Sequence, residues 1–263
     1  MIPLNFYLFW AGKSISYLRY LTFKTLRNCH PNSNITLYIS RGFNKNIHQW
    51  SREKQDFEIE NDNDYTQNIK DLGVKVIELE YFSSPNYCAI YQADLYRFWI
   101  LYNEGGFYLD CDQIILKSFD SIPLDKEFIY SRYIESQCGD YLPTGVLGMK
   151  KGSDIGMIAM KIVPKAYSPY NYNSSGPFAM REIIKYVKDD SFNAPKEYFY
   201  PVCSSKDVDK IYNGEFEIPE ESYAIHWYAG HPLSQEFNKK YTEEFARNSD
   251  DTISKYLREN NLI

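Results

Sequence analysis

Asp110 and Asp112 carry the densest chemical signal in the sequence, two carboxylates flanking Cys111 directly after the run Phe107-Tyr108-Leu109. Phe107 to Asp112 reads as a strand. Side chains alternate along a strand, so both acids would project from one side while Leu109 and Cys111 turn to the other. Two like charges this close repel each other unless a counter-charge joins them. Hard carboxylate oxygens suit Mg²⁺ or Mn²⁺, and magnesium-type sites complete their shell with substrate phosphates and water. The position matters as well, because strand C-termini in open α/β sheets face the ligand crevice.

Asp94 and Arg97 stand three residues apart in Tyr87 to Asn103, a stretch that reads as a helix apolar on almost every side. At that spacing they share one face. Buried charges persist when they are paired or bound to something. The two residues therefore either satisfy each other as an internal salt bridge or turn hydrogen-bonding positions into the crevice beside Asp110.

The elements needed to position these groups are legible from the pattern. Ile2 to Trp10 reads as a buried strand. Ser14 or Ser16 then caps a helix to about Cys29, with Pro31 beyond its end. Ile35 to Ser40 alternates as a second strand, and Val74 to Leu79 gives a third after Gly73. The polar stretch from Arg41 to Lys70 reads as an exposed excursion with one short helix. Strand, helix, strand, connection, strand opens an α/β sandwich with a mostly parallel sheet. Gly105 suits the C-terminal cap of the apolar helix. Farther on, Phe128 to Tyr133, Val146 to Lys150 and Tyr198 to Val202 read as strands. Asp154 to Ile162 and Pro177 to Val187 read as helices, and polar helices run from about Leu233 to Leu262. With no internal repeat or linker, residues 1–263 read as a single domain with a helical C-terminal end at about 233–263.

Bulk composition narrows the function classes. The 263 residues include 25 Tyr and 16 Phe against 13 Gly and 12 Pro, so rings are expected in a cleft as well as in the core. A net charge of −6 argues against nucleic acid as a partner. Five cysteines without paired spacing (Cys29, Cys88, Cys111, Cys138, Cys203) argue against a disulfide scaffold and for a reducing compartment. No stretch reads as a leader or a bilayer span. The expectation is a cytoplasmic protein, with peripheral membrane contact left open.

Ala93-Asp94-Leu95-Tyr96-Arg97 followed by Asn103-Glu104-Gly105-Gly106-Phe107-Tyr108-Leu109-Asp110-Cys111-Asp112 resembles the signature of the D-x-D sugar-binding glycosyltransferases of family 32. That family is typified by the yeast initiation-specific mannosyltransferase and bacterial capsule enzymes, and the clostridial glucosylating toxins carry a related signature. The match is specific over about twenty residues and looser from residue 1 to about 232. The resemblance implies a GT-A fold, Rossmann-like and mostly parallel, and retaining transfer of a sugar from a nucleotide-sugar donor with Mn²⁺ or Mg²⁺. It also implies roles for particular residues. Asp94 and Arg97 would hold donor-sugar hydroxyls, Asp110 would lie near the ribose and sugar, and Asp112 would ligate the metal. Trp10 resembles the aromatic that stacks on the donor base, which favours a UDP-sugar while leaving GDP-mannose open. Ser175-Gly176-Pro177 resembles the family's small-Gly-Pro segment, whose helix-start N–H groups can meet an anion. The segment containing His226 and Trp227 resembles the C-terminal His-Trp segment, with His231-Pro232 where Ser-Trp is common. His226 and His231 therefore both remain candidates to complete the metal or diphosphate site. The acceptor is expected to be a saccharide, a lipid-linked oligosaccharide or a protein side chain, with polysaccharide or glycoconjugate synthesis as the setting.

Two other readings fit a D-x-D pair. A haloacid-dehalogenase-type phosphatase would use it as nucleophile and general acid. Here Ile114 stands where Thr or Val is expected, and Asp94, Arg97 and Gly105-Gly106 would have no role. A non-catalytic carbohydrate- or nucleotide-binding module would keep the site without turnover.

Overall fold

Residues 1–44, 64–135, 139–204 and 206–263 are described in a computed structural model. Most of the expected excursion after Arg41, and Cys138, lie outside these residues. Strand β1 (Phe6–Ala11) is buried along its whole length, which explains an apolar run with no alternation. Ser16 caps helix α1 (Tyr17–Cys29), its hydroxyl accepting the Arg19 N–H. Next come β2 (Ile35–Ser40), the short helix α2 (Thr66–Asp71) and β3 (Lys75–Leu79). Helix α3 (Ala89–Glu104) is capped by Cys88 and ends at Gly105, and it leads into β4 (Gly106–Leu109).

The turn between α3 and β4 requires its two glycines. Gly105 and Gly106 have φ of 67° and 117°, a region that side chains other than glycine's rarely allow. A Cβ on Gly106 would lie 2.4 Å from the Asn5 carbonyl oxygen. That close approach lets β4 start flush against the entry to β1.

β4 pairs in parallel with β1, with Tyr7 opposite Tyr108, while β2 flanks β1 on its other side. After β1 the chain builds outward through β2 and β3, then crosses back to place β4 on the opposite edge. The order reverses between β1 and β4, where a crevice opens at the carboxyl ends of open α/β sheets. Later elements extend this half: β5 (Gln113–Ile115), β6 (Phe128–Ser131), β7 (Tyr133–Glu135), β8 (Gly139–Tyr141), β9 (Val146–Met149), α4 (Asp154–Ala166), α5 (Pro177–Ile183) and β10 (Phe192–Ala194). The main sheet has the order β10-β6-β9-β4-β1-β2-β3. β9 runs antiparallel to both β4 and β6, and the other pairs are parallel.

The C-terminal part holds α6 (Lys196–Phe199), α7 (Val208–Asn213), β11 (Ala224–His226), α8 (Pro232–Lys240), α9 (Glu243–Asn248) and α10 (Thr252–Glu259). β11 pairs antiparallel with β5 in a small second sheet, placing His226 opposite Gln113. Tyr198 to Val202, expected as a strand, is instead the end of α6 followed by irregular chain. Its alternating rings meet tertiary partners there: Tyr198 and Phe199 pack on Tyr223, and Tyr200 accepts the Val146 N–H at 2.7 Å. No helix among the described residues is long and apolar enough to cross a membrane.

Candidate functional site

The Asp110-Cys111-Asp112 segment is a turn. β4 ends at Leu109 and β5 begins at Gln113, so the strand expected through Asp112 stops three residues early. The two acids still reach one place, because backbone bonds hold the turn at both ends. The Asp110 N–H donates to the Gly145 carbonyl at 2.8 Å, and the Asp112 carbonyl accepts the Trp227 N–H at 3.1 Å. Cys111 turns away, its thiol donating to the Phe9 carbonyl. Burial pushes that thiol well above its ordinary range, so it stays protonated and inert.

Each acid has its own set of partners. Asp110 accepts the Tyr108 hydroxyl at 2.8 Å on Oδ1 and lies 3.4 Å from Arg97 Nη2. Gly145 packs against its other oxygen, and a Cβ there would sit 2.7 Å from Asp110 Oδ2. Asp112 lies 2.9 Å from His226 Nε2 through Oδ1 and accepts the Ala229 N–H at 2.9 Å through Oδ2. Burial alone would raise the Asp112 carboxyl. His226, Arg19 and the Ala229 N–H outweigh it and hold the group at about 2, so it is a carboxylate at neutral pH.

Asp94 and Arg97 realise both sequence readings. They form a buried salt bridge at 3.1 Å, and Arg97 continues from it to Asp110. Its Nε donates to Ala93, its Nη1 to the Thr144 carbonyl and hydroxyl, and its Nη2 faces Asp94 and Asp110. Five acceptors thus surround five guanidinium N–H groups. Asp94 also accepts the Ser175 hydroxyl at 2.6 Å. A Cβ on Gly176 would lie 3.1 Å from Asp94 Oδ1, so the Ser175-Gly176-Pro177 segment closes over Asp94. Burial raises the Asp94 carboxyl above the usual carboxylate range, with Arg97 and Ser175 opposing the rise.

Arg97, Asp110 and Asp112 border an open cleft of about 550 Å³ at the β1/β4 reversal, lined also by Trp10, Ala11, Ala93 and Tyr172, whereas Asp94, Gly176 and His226 are not among its lining residues. Trp10 is almost wholly buried, with the Arg19 guanidinium 4.3 Å from the centre of its ring. Trp227 is fully buried in a core cluster with Ile114, Leu18 and Leu21, and the lining residues do not include it. His226 is the histidine that reaches the acids. His231 instead caps α8, its Nδ1 accepting the Leu233 N–H at 3.3 Å.

Asp110, Asp112 and His226 each offer a ligand atom, and all three atoms lie within 4.8 Å of one another. The two hard carboxylate oxygens suit Mn²⁺ or Mg²⁺, and the imidazole beside them favours the softer Mn²⁺ of the two. Thr144 and Gly145, which brace the acids, are not prominent in the sequence, whereas Ser175 belongs to the Ser175-Gly176-Pro177 segment singled out there. The available signal was chiefly that of Tyr108, which lies two residues before Asp110 in a strand and so shares its side.

Residues 21–129 match the family model described as glycosyltransferase sugar-binding region containing DXD motif. The segment is similar to that sugar-binding region. The matched segment runs from within α1 to the start of β6, so it contains Asp94, Arg97 and both acids of the turn. His226 and the Ser175-Gly176-Pro177 segment lie outside it. Among solved structures, the glycosyltransferase GlyE of Streptococcus pneumoniae TIGR4 is similar with a TM-score of 0.54 at 14% identity, covering 99% of this chain and 61% of that one. Its apo form gives 0.52 at 15%, with the same coverage. PaToxG glycosyltransferase gives 0.46 at 20% identity, covering 70% of this chain and 69% of that one. This chain therefore spans 61% of the length of GlyE, and the shared feature is the GT-A fold. No curated protein matches the chain.

Proposed function

We infer that the protein is a metal-dependent glycosyltransferase moving a sugar from a nucleotide-sugar to an acceptor hydroxyl. The observation that carries this reading is the convergence of Asp110, Asp112 and His226 at the β1/β4 reversal, within a chain whose DXD region matches that family model. Asp112 and His226 would hold Mn²⁺ or Mg²⁺, with Asp110 beside them. Bound there, the metal would neutralise charge on the diphosphate leaving group. Asp110, fixed by Tyr108 and Arg97, presents an acceptor oxygen to the donor's ribose or sugar. Arg97 acts by locking Asp94 and Asp110 in place, so the donor meets a rigid set of oxygens. Trp10 and the end of β1 supply the wall for the base, which favours a uridine donor over GDP-mannose.

None of the acids is placed as a free nucleophile, since each is held by two partners. That favours retention by front-face attack, with the leaving phosphate taking the acceptor proton. A saccharide or lipid-linked oligosaccharide acceptor in a cytoplasmic polysaccharide or glycoconjugate pathway is the reading we carry forward. A protein side chain is the second.

Asp112→Asn tests the assignment. With Mn²⁺ and a panel of UDP- and GDP-sugars, nucleotide release is expected to fall by about 10³-fold or more relative to the unaltered protein. Undiminished release in that variant would sink the metal-site reading.

A further inference from the structure

Gln113 is a polar residue that the fold buries completely and that the acid cluster leaves without a task. It opens β5, all three of whose residues are buried. Neither its amide oxygen nor its amide nitrogen has a hydrogen-bond partner among the described residues. A buried amide left in that state is costly, and an apolar side chain of similar size would remove the cost. The polar group therefore points to a bonding task rather than to packing.

The pairing of β5 with β11 sets what the amide faces. Gln113 stands opposite His226. The Trp227 N–H donates to the Asp112 carbonyl and the Leu116 N–H to the Tyr223 carbonyl, so those two pairs are hydrogen-bonded ones. By alternation between them, His226 and Gln113 form a non-hydrogen-bonded pair. Opposed side chains leave such a pair from one face and at closest approach. On that face the next pair is Ile115 with Ala224, and both belong to the core cluster of Phe199 and Tyr200. Ile114, Ile225 and Trp227 join the other core. The His226 ring lies 5.6 Å from that of Tyr200, so imidazole and amide enter the same apolar layer.

His226 turns Nε2 toward Asp112 Oδ1, at 2.9 Å. To offer the Nε2 lone pair to a metal, the neutral imidazole must carry its proton on Nδ1. A hydrogen bond from that N–H fixes the tautomer and the plane of the ring together. We propose that Gln113 is a positioning residue of the metal cluster, its amide oxygen accepting the His226 Nδ1–H directly or through one buried water. This rests on the metal-site reading above and adds to it the residue that orients the imidazole. A Gln113 that merely fills the layer between the two sheets predicts different behaviour.

The test is Mn²⁺ titration, with and without UDP, of the unaltered protein, Gln113→Leu, Gln113→Met and Gln113→Glu, beside melting curves taken in chelator. Gln113→Leu and Gln113→Met remove the acceptor and keep the volume. Each is expected to weaken Mn²⁺ by about tenfold or more, while Tm in chelator stays within about 3 °C of the unaltered protein or rises. Gln113→Glu keeps an acceptor oxygen and is expected to hold Mn²⁺ affinity within about threefold. Unchanged Mn²⁺ affinity in whichever apolar variant folds overturns the proposal. A folded Gln113→Glu that loses as much affinity as the apolar variants overturns it too. Failure of the unaltered protein to take up Mn²⁺ under either condition would instead overturn the metal-site reading, and this proposal with it.

Discussion

Asp110 and Asp112 are adjacent in space but held in different ways. Asp110 is oriented by a tyrosine hydroxyl and an arginine, whereas Asp112 is oriented by a histidine and a backbone N–H. The types and spacing of these acids were readable, since a D-x-D after an apolar run has few uses. Their mode of support was not, because Thr144, Gly145 and Ala229 come from parts of the chain far from the acids and carry no local motif. Gly145 shows the point most directly. Nothing in Pro143-Thr144-Gly145-Val146 marks it, yet its missing side chain is the space the Asp110 carboxylate occupies. Gly145→Ala would push against Asp110 Oδ2 and, at 3.3 Å, against the Tyr200 hydroxyl. It is expected to cut kcat by about tenfold to a hundredfold with little change in Tm, because a misplacement of under an ångström is enough to spoil alignment. Steady-state kinetics beside a melting curve checks this, and unchanged kcat would show that Asp110 tolerates displacement.

The elements up to β4 are legible because each carries its own boundary signal: Ser16 at the start of α1, Gly73 before β3, and Gly105-Gly106 between α3 and β4. The D-x-D turn was misread as strand because alternation and a tight turn can both bring residues i and i+2 to one side. The choice between them is made by β11, more than a hundred residues later, which captures β5 into a second sheet. Long-range pairing of this kind leaves no local trace. His30 joins elements in the same non-local way. It caps α1, its ring lies 4.4 Å from that of Phe6 in β1, and its Nε2 accepts the Phe119 N–H at 3.2 Å. Burial lowers the imidazole from its ordinary 6.5 to about 4, with Asp120 opposing the shift and Arg27 adding to it. The unfolded chain therefore takes up a proton near 6.5 that the folded one refuses until about 4. This contribution is fully present above 6.5 and is lost as pH falls through that window, about 3 kcal/mol in all. Urea unfolding between pH 7 and pH 4 should show that loss, and His30→Gln, which keeps an acceptor but does not titrate, should flatten it. An equal slope in both proteins would assign the acid sensitivity to other groups.

At the scale of the molecule, the reversal of strand order between β1 and β4 and the return of β11 to β5 bring the site residues together. The N-terminal half supplies the cleft walls and both acids, and the C-terminal part supplies His226 and the Ala229 N–H. The segment matching the family model ends at residue 129 and therefore contains only part of the Asp110-Asp112-His226 cluster, and the rest depends on the C-terminal part being folded onto it. Under the proposed function, metal and nucleotide are therefore expected to bind as one event. The most direct measurement is calorimetry of UDP and GDP with and without Mn²⁺ on residues 1–263. The account predicts that one of them binds and that Mn²⁺ tightens it by about tenfold or more, with the same factor returned when nucleotide is present and metal is titrated. Absence of binding for both nucleotides, or binding of equal strength with and without Mn²⁺, would contradict it.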